Sequence, residues 1–83
     1  MNAEKIVVVL RNPNSTLTMD RFEVFDNVCN ATVGTVTLKG GESRPISISP
    51  DGDGKGSVKL RNLDDGGDWV EIDSVSAGDI VSP

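Results

Sequence analysis

Along most of this chain apolar and polar residues alternate with a period of two, and Gly, Pro, Asn and Asp interrupt the alternation every few positions. That period places successive side chains on opposite faces of an extended strand. It predicts strands over 5–11, 20–26, 32–38, 43–49, 57–62 and 69–75, with a short seventh over 79–81. Phe22, Val24, Val36, Leu38, Ile46, Ile48, Val58, Leu60, Val70 and Ile72 make up the inward set, while Phe25, Ser47, Lys59 and Arg61 point the other way. Asn12-Pro13-Asn14, Lys39-Gly40-Gly41-Glu42, SPDGDGKG, NLDDGGD and Ser76-Ala77-Gly78 supply turns. No stretch carries the 3.6-residue spacing of an amphipathic helix. Pro45 cannot donate to a ladder, so its strand lies at a sheet edge or begins after the proline. Short strands at this spacing predict an all-β fold, either a small antiparallel β-sandwich or a small β-barrel.

The first strand breaks the alternation. Ile6, Val8 and Leu10 face one side and Val7 and Val9 the other, so both faces are apolar. A sheet in a sandwich buries one face and wets the other. Val7 and Val9 therefore call for a second cover: another copy of the chain, a different protein, or the chain's own loop over 12–19. Phe25 and Trp69 also lie outside the inward set and add to the apolar area left over. A short echo links VVLRN at 8–12 with VKLRN at 58–62, each followed by a polar loop and an aromatic-bearing strand.

With 83 residues the chain makes one domain, 1–83, near the lower limit for folding without a disulfide, a metal or a partner subunit. One cysteine allows no internal disulfide, and the absence of histidine argues against structural zinc. Cys29 reads as a small buried or half-buried residue rather than a nucleophile, because no imidazole is present to activate it. The five-residue apolar run at 6–10 is shorter than a secretory core or a membrane span, so a soluble chain without membrane contact is expected. On that reading the sequons at Asn14 and Asn30 are turn residues. Net charge is −5, and residues 62–83 carry six acids and no base. Such a surface repels phosphates, which excludes direct nucleic-acid binding and favours a basic protein or a cation.

The stretch VTLKGGESRPISIS, residues 36–49, resembles an element of immunoglobulin-like β-sandwich modules in bacterial and phage proteins. In those modules a strand ends in a Gly-Glu-Ser-type turn, matched here by Gly41-Glu42-Ser43, and an alternating strand follows, matched by Ile46 and Ile48. The resemblance implies a binding, spacer or assembly unit and carries no functional residues. The cysteine pair and corner tyrosine of antibody-type domains are missing.

Two loops offer candidate chemistry. Asp51, Asp53 and Gly56 match positions one, three and six of a calcium loop, but Lys55 at position five repels a cation and Asn62 at position twelve lacks a second carboxylate oxygen. A glycine-rich hairpin loop fits the same residues. Asp64, Asp65 and Asp68 precede Trp69, which either grips a ligand beside Glu71 and Asp73 or lies over its own sheet edge. Serines are plentiful, but no His, S-x-x-K or P-loop pattern accompanies them, so no catalytic residue and no cofactor is expected.

These features lead to the expectation of a non-enzymatic structural or protein-interaction module. It self-associates or docks on a larger assembly, such as a virion decoration or tail component, with Val7, Val9, Phe25, Trp69, Glu71 and Asp73 as the partner-binding residues. Its partners are a protein or further copies of itself. A calcium- or carbohydrate-binding module and an acidic inhibitor of a nucleic-acid-binding protein are the alternatives.

Overall fold

The computed structural model describes residues 4–83. It contains seven strands and no helix: β1 (Ile6–Arg11), β2 (Met19–Asp26), β3 (Ala31–Lys39), β4 (Ser43–Ile48), β5 (Gly56–Asn62), β6 (Val70–Val75) and β7 (Ile80–Val81). They form two sheets, β4-β1-β7 and β3-β2-β5-β6, which settles the choice between sandwich and barrel. All pairings are antiparallel except β1 with β7, which is parallel at Val9–Ile80 and Leu10–Val81. As its proline requires, β4 lies at an edge.

Alternation fills the space between the sheets. Val8, Leu10, Ile46, Ile48 and Val81 enter from the three-stranded sheet, and Phe22, Val24, Leu38, Val58, Leu60 and Val75 from the four-stranded one. Ile6, Val36 and Ile72 pack at the margin of this cluster. Phe22 is the sole aromatic ring in it, so β-branched and leucine side chains do most of the filling.

Val70 departs from the inward expectation and stays 40% exposed. It opens edge strand β6, and the facing sheet ends in the two-residue β7, which is too short to cover it. A second departure follows along the same strand. The β5–β6 register shifts between Gly56 and Val58, and Ser74 adopts φ +56°. The extra residue reverses the alternation, so Val75 rather than Ser74 turns inward.

Polar side chains close the strand ends. Asn12, Asp20, Asp26 and Asn62 are buried, and among the described residues every buried side-chain nitrogen and oxygen is hydrogen-bonded. Asn12 donates to the Leu38 carbonyl and to Asp20, and accepts from the Asn14 N–H. Asn62 accepts from the Asp64 N–H two residues on, the same local bond. The LRN echo therefore marks a shared way of stopping a strand, in one strand from each sheet.

The 12–19 loop leaves Val7 49% exposed. It packs on Gly40, where an added Cβ would overlap the Thr16 carbonyl oxygen and crowd that of Asn14. Gly40→Ala is expected to destabilise by about 1–3 kcal/mol, as overpacking against backbone does. Gly52→Ala, with open space around it, is the control and should stay within about 0.5 kcal/mol of the parent. Urea unfolding of both variants checks the contrast.

Candidate functional site

Strand β1 presents Val7 and Val9 on the outside of the three-stranded sheet, as its pattern requires. Val7 is 49% exposed and Val9 is half-buried. Register places Pro45 on one side of Val9 and Ile80 on the other, so Pro45, Val9 and Ile80 form an apolar row across all three strands. Ile80 is 65% exposed. The sequence offered little to bring Pro45 and Ile80 into this set, because the parallel docking of β7 beside β1 is a long-range pairing.

Phe25, Trp69, Glu71 and Asp73 lie elsewhere, on the outer side of the four-stranded sheet. The six expected partner-binding residues thus divide between opposite sides of the sandwich. On this second face neighbouring side chains satisfy one another. The Lys59 ammonium stands 4.6 Å from the centre of the Phe25 ring, and the Arg61 guanidinium 4.4 Å from that of Trp69. Arg61 also pairs with Glu23 on the adjacent strand. Glu71 accepts from Asn27, and Asp73 from the Ser57 hydroxyl at 2.6 Å. Trp69, 40% exposed, lies over its own sheet against two cations. The alternation of Lys59 and Arg61 one hairpin away from Trp69 was the readable signal for this cluster.

The acidic loops serve as turns. Asp51 Oδ1 accepts the N–H groups of Asp53 and Lys55, and the Lys55 ammonium reaches the Ser76 hydroxyl. Asp64 is held below the usual carboxylate range by the Arg21 guanidinium and N–H, which joins the 63–69 loop to the start of β2. Among the described residues no group of three acids or thiols converges on a common point.

A cleft of about 330 Å³ opens between edge strands β3 and β4, lined by Ala31, Val33, Ile46, Ser47, Lys5 and Cys29. Cys29 is exposed here, contrary to the expected burial, because it sits in the β2–β3 turn rather than on a strand face. Behind it Asp26 is 1% exposed. Its Oδ1 accepts the N–H groups of Val28 and Cys29, and its Oδ2 that of Ser49 at 2.7 Å. Burial pushes this carboxyl up, but the bonds from Ser49, Cys29 and Val28 together outweigh it and hold the group below its ordinary value.

Comparison with protein-family models, with curated proteins and with solved structures finds no match to this chain. No helix among the described residues is long and apolar enough to cross a membrane.

The Asp26 site fixes a pH dependence. A carboxyl with a depressed folded value stabilises above its unfolded pKa of about 3.9 and loses that contribution as pH falls through the folded value. Asp26→Asn puts an amide donor among N–H donors and is expected to cost about 1–3 kcal/mol at pH 7. The variant should also lose less stability than the parent between about pH 5 and pH 2. Chemical denaturation at neutral and acid pH measures both effects.

Proposed function

We propose that this chain is a non-enzymatic structural or protein-interaction module of immunoglobulin-like design, self-associating or docking on a larger assembly, for instance as a virion decoration or tail component. The observation that carries the reading is the Pro45–Val9–Ile80 row with Val7 beside it. The row lies on the outer side of a sheet whose inner side already fills the core. Exposed apolar groups that adjoin across a whole sheet mark contact surfaces more often than scattered ones do. The opposite face, where carboxylates, cations and rings satisfy each other, is the better finished for water.

Strand order supports the immunoglobulin-like part. The order β3-β2-β5-β6 follows C′-C-F-G, and the β4-β1 pair follows E-B. The place of strand A beside B is taken by β7 from the far end of the chain, in parallel. The lack of histidine supports a non-enzymatic role, since the hydroxyls have no imidazole base.

Val7→Lys and Ile80→Lys test the face. Both substitutions sit on exposed outward positions, so melting temperatures should stay within about 2 °C of the parent. Sedimentation between about 10 µM and 1 mM is expected to show a gain in association on adding ammonium sulfate in the parent, and no such gain in the variants. Parent and variants that sediment alike at every salt concentration would overturn the assignment of this face.

A further inference from the structure

Four strands border the two sheets: β4 and β7 in one, β3 and β6 in the other. Three of them are guarded against pairing with another chain. β4 carries Pro45 and Arg44, β7 has two residues, and β6 carries Glu71 and Asp73 and is interrupted by its bulge. β3 has only a β-bulge at Val33, where its register with β2 shifts, and above it the strand is regular. It runs for nine residues, and from Ala31 to Leu38 it contains no charge and no proline.

The orientation of its backbone follows from the end of the ladder. The Gly40 N–H bonds the Thr18 carbonyl, one step beyond the Lys39–Met19 pair. Antiparallel alternation then gives Leu38 and Val36 to β2, and turns the N–H and C=O of Thr37 and Thr35 to the open edge. The next edge-facing donor, the Lys39 N–H, is already capped by the Glu42 carboxylate at 2.9 Å. Between that cap and the bulge at Val33, the regular open stretch is Thr35–Thr37. Beside it the sandwich is incompletely sealed, since Val36 is only half-buried and the cleft between β3 and β4 opens along the lower half of the strand.

We infer that two copies of this chain join by antiparallel pairing of β3 with β3, Thr35 of each opposite Thr37 of the other and Val36 opposite Val36. This goes beyond the proposed function, because it uses the backbone edge and not the apolar face. Reciprocal hydrogen bonds form at both Thr35–Thr37 positions, and each half-buried Val36 gains apolar cover. The register is two-fold about Val36, so a second copy supplies each donor and acceptor that the first lacks, and charge permits this arrangement. The chain is net −5, so most approaches bring acids together, but Glu71 and Asp73 lie on β6, furthest in the sheet from β3. In the joined eight-stranded sheet the two β6 edges are about 34 Å apart at seven strand spacings, well beyond a Debye length of about 8 Å. Pairing β3 with the β6 of another copy would instead meet the bulge, and would build an open chain of subunits rather than a closed pair.

Thr37→Pro deletes an edge-facing N–H while leaving the β2 ladder its bonds, and Thr35→Lys puts a charge on the contact without touching the backbone. Sedimentation equilibrium of the parent, both variants and Val7→Lys between about 10 µM and 1 mM is the test. Without ammonium sulfate, the parent is expected to move from 8.8 kDa toward twice that mass and no further. Each β3 variant should weaken dimerisation about tenfold or more, with the melting temperature unchanged in dilute solution where parent and variants are monomeric. The Thr35 and Thr37 amides should exchange slowly with deuterium in concentrated solution and quickly when dilute. A parent that stays monomeric through 1 mM overturns the pairing. So does a mass ladder beyond the dimer, or a dimer that survives Thr35→Lys with those amides unprotected. If Val7→Lys alone abolishes association, the pairing fails and the apolar-face reading stands. If only the β3 variants do, the pairing stands and the face has no part in self-association.

Discussion

The bonding of the buried Asp26 carboxylate is the constraint on which the rest of this sandwich hangs. Both oxygens are engaged, one by the turn that leads out of β2 and the other by the Ser49 N–H at the end of β4. Those segments belong to different sheets, so one side chain ties the layers together at the end where the core thins out. Backbone groups left unpaired where strands stop would cost more than a small core with a single ring can offset. Asn12 performs the equivalent service at the opposite end, joining the exit of β1 to Asp20 and to the Leu38 carbonyl. Layer spacing, and with it the alternation that decides which side chains face out, rests on these polar closures.

Given that frame, the outer faces differ because their sheets differ in width and composition. The four-stranded sheet places Glu23, Arg61, Lys59 and Glu71 on neighbouring strands, where cross-strand opposite charges and cation–ring contacts satisfy each other. The three-stranded sheet has only one long central strand to set the character of its outer side, and β1 brings valine there twice. Its neighbours contribute Pro45 and Ile80, neither of which can bond to anything polar. One face is complete as it stands, and the other gains only when covered.

Much of this was legible in the residues. Every strand lies within one position of its predicted limits, because period-two patterning bounded by Gly, Asn and Pro is a local signal. Pro45 alone narrowed β4 to an edge strand or one beginning after the proline, and β4 takes the edge with the proline inside it. What escaped was whatever depends on distant neighbours. The exposure of Val70 reflects the shortness of β7 in the other sheet, which has no local correlate. The inward turn of Val75 depends on a bulge that a serine with positive φ makes, and serine does not announce that conformation as glycine would. The expected contact residues were each correctly judged to lie outside the core, yet grouped as if they shared a surface. Alternation states that a side chain leaves the core but not from which sheet, so Val7 and Trp69 carry the same label on opposite sides of the molecule.

The distribution of edge protection is the last step. In a sandwich with short strands, each guarding device costs something: a proline forfeits a ladder bond, a bulge breaks register, and a charge on an edge strand packs poorly. Here proline, charge or shortness falls on three edges out of four, and the fourth has only the bulge at Val33. That one is also the longest strand, and its open backbone groups lie at threonines rather than lysines. Nor is this edge simply neglected, since Glu42 caps its final N–H and the bulge at Val33 breaks its other end, which limits the regular open stretch to Thr35–Thr37. A bare edge bounded in this way allows a short ladder of fixed register and gives no purchase for an indefinite one. The geometry is selective about how much can be added to the sheet, which is what distinguishes a joining surface from an aggregation hazard.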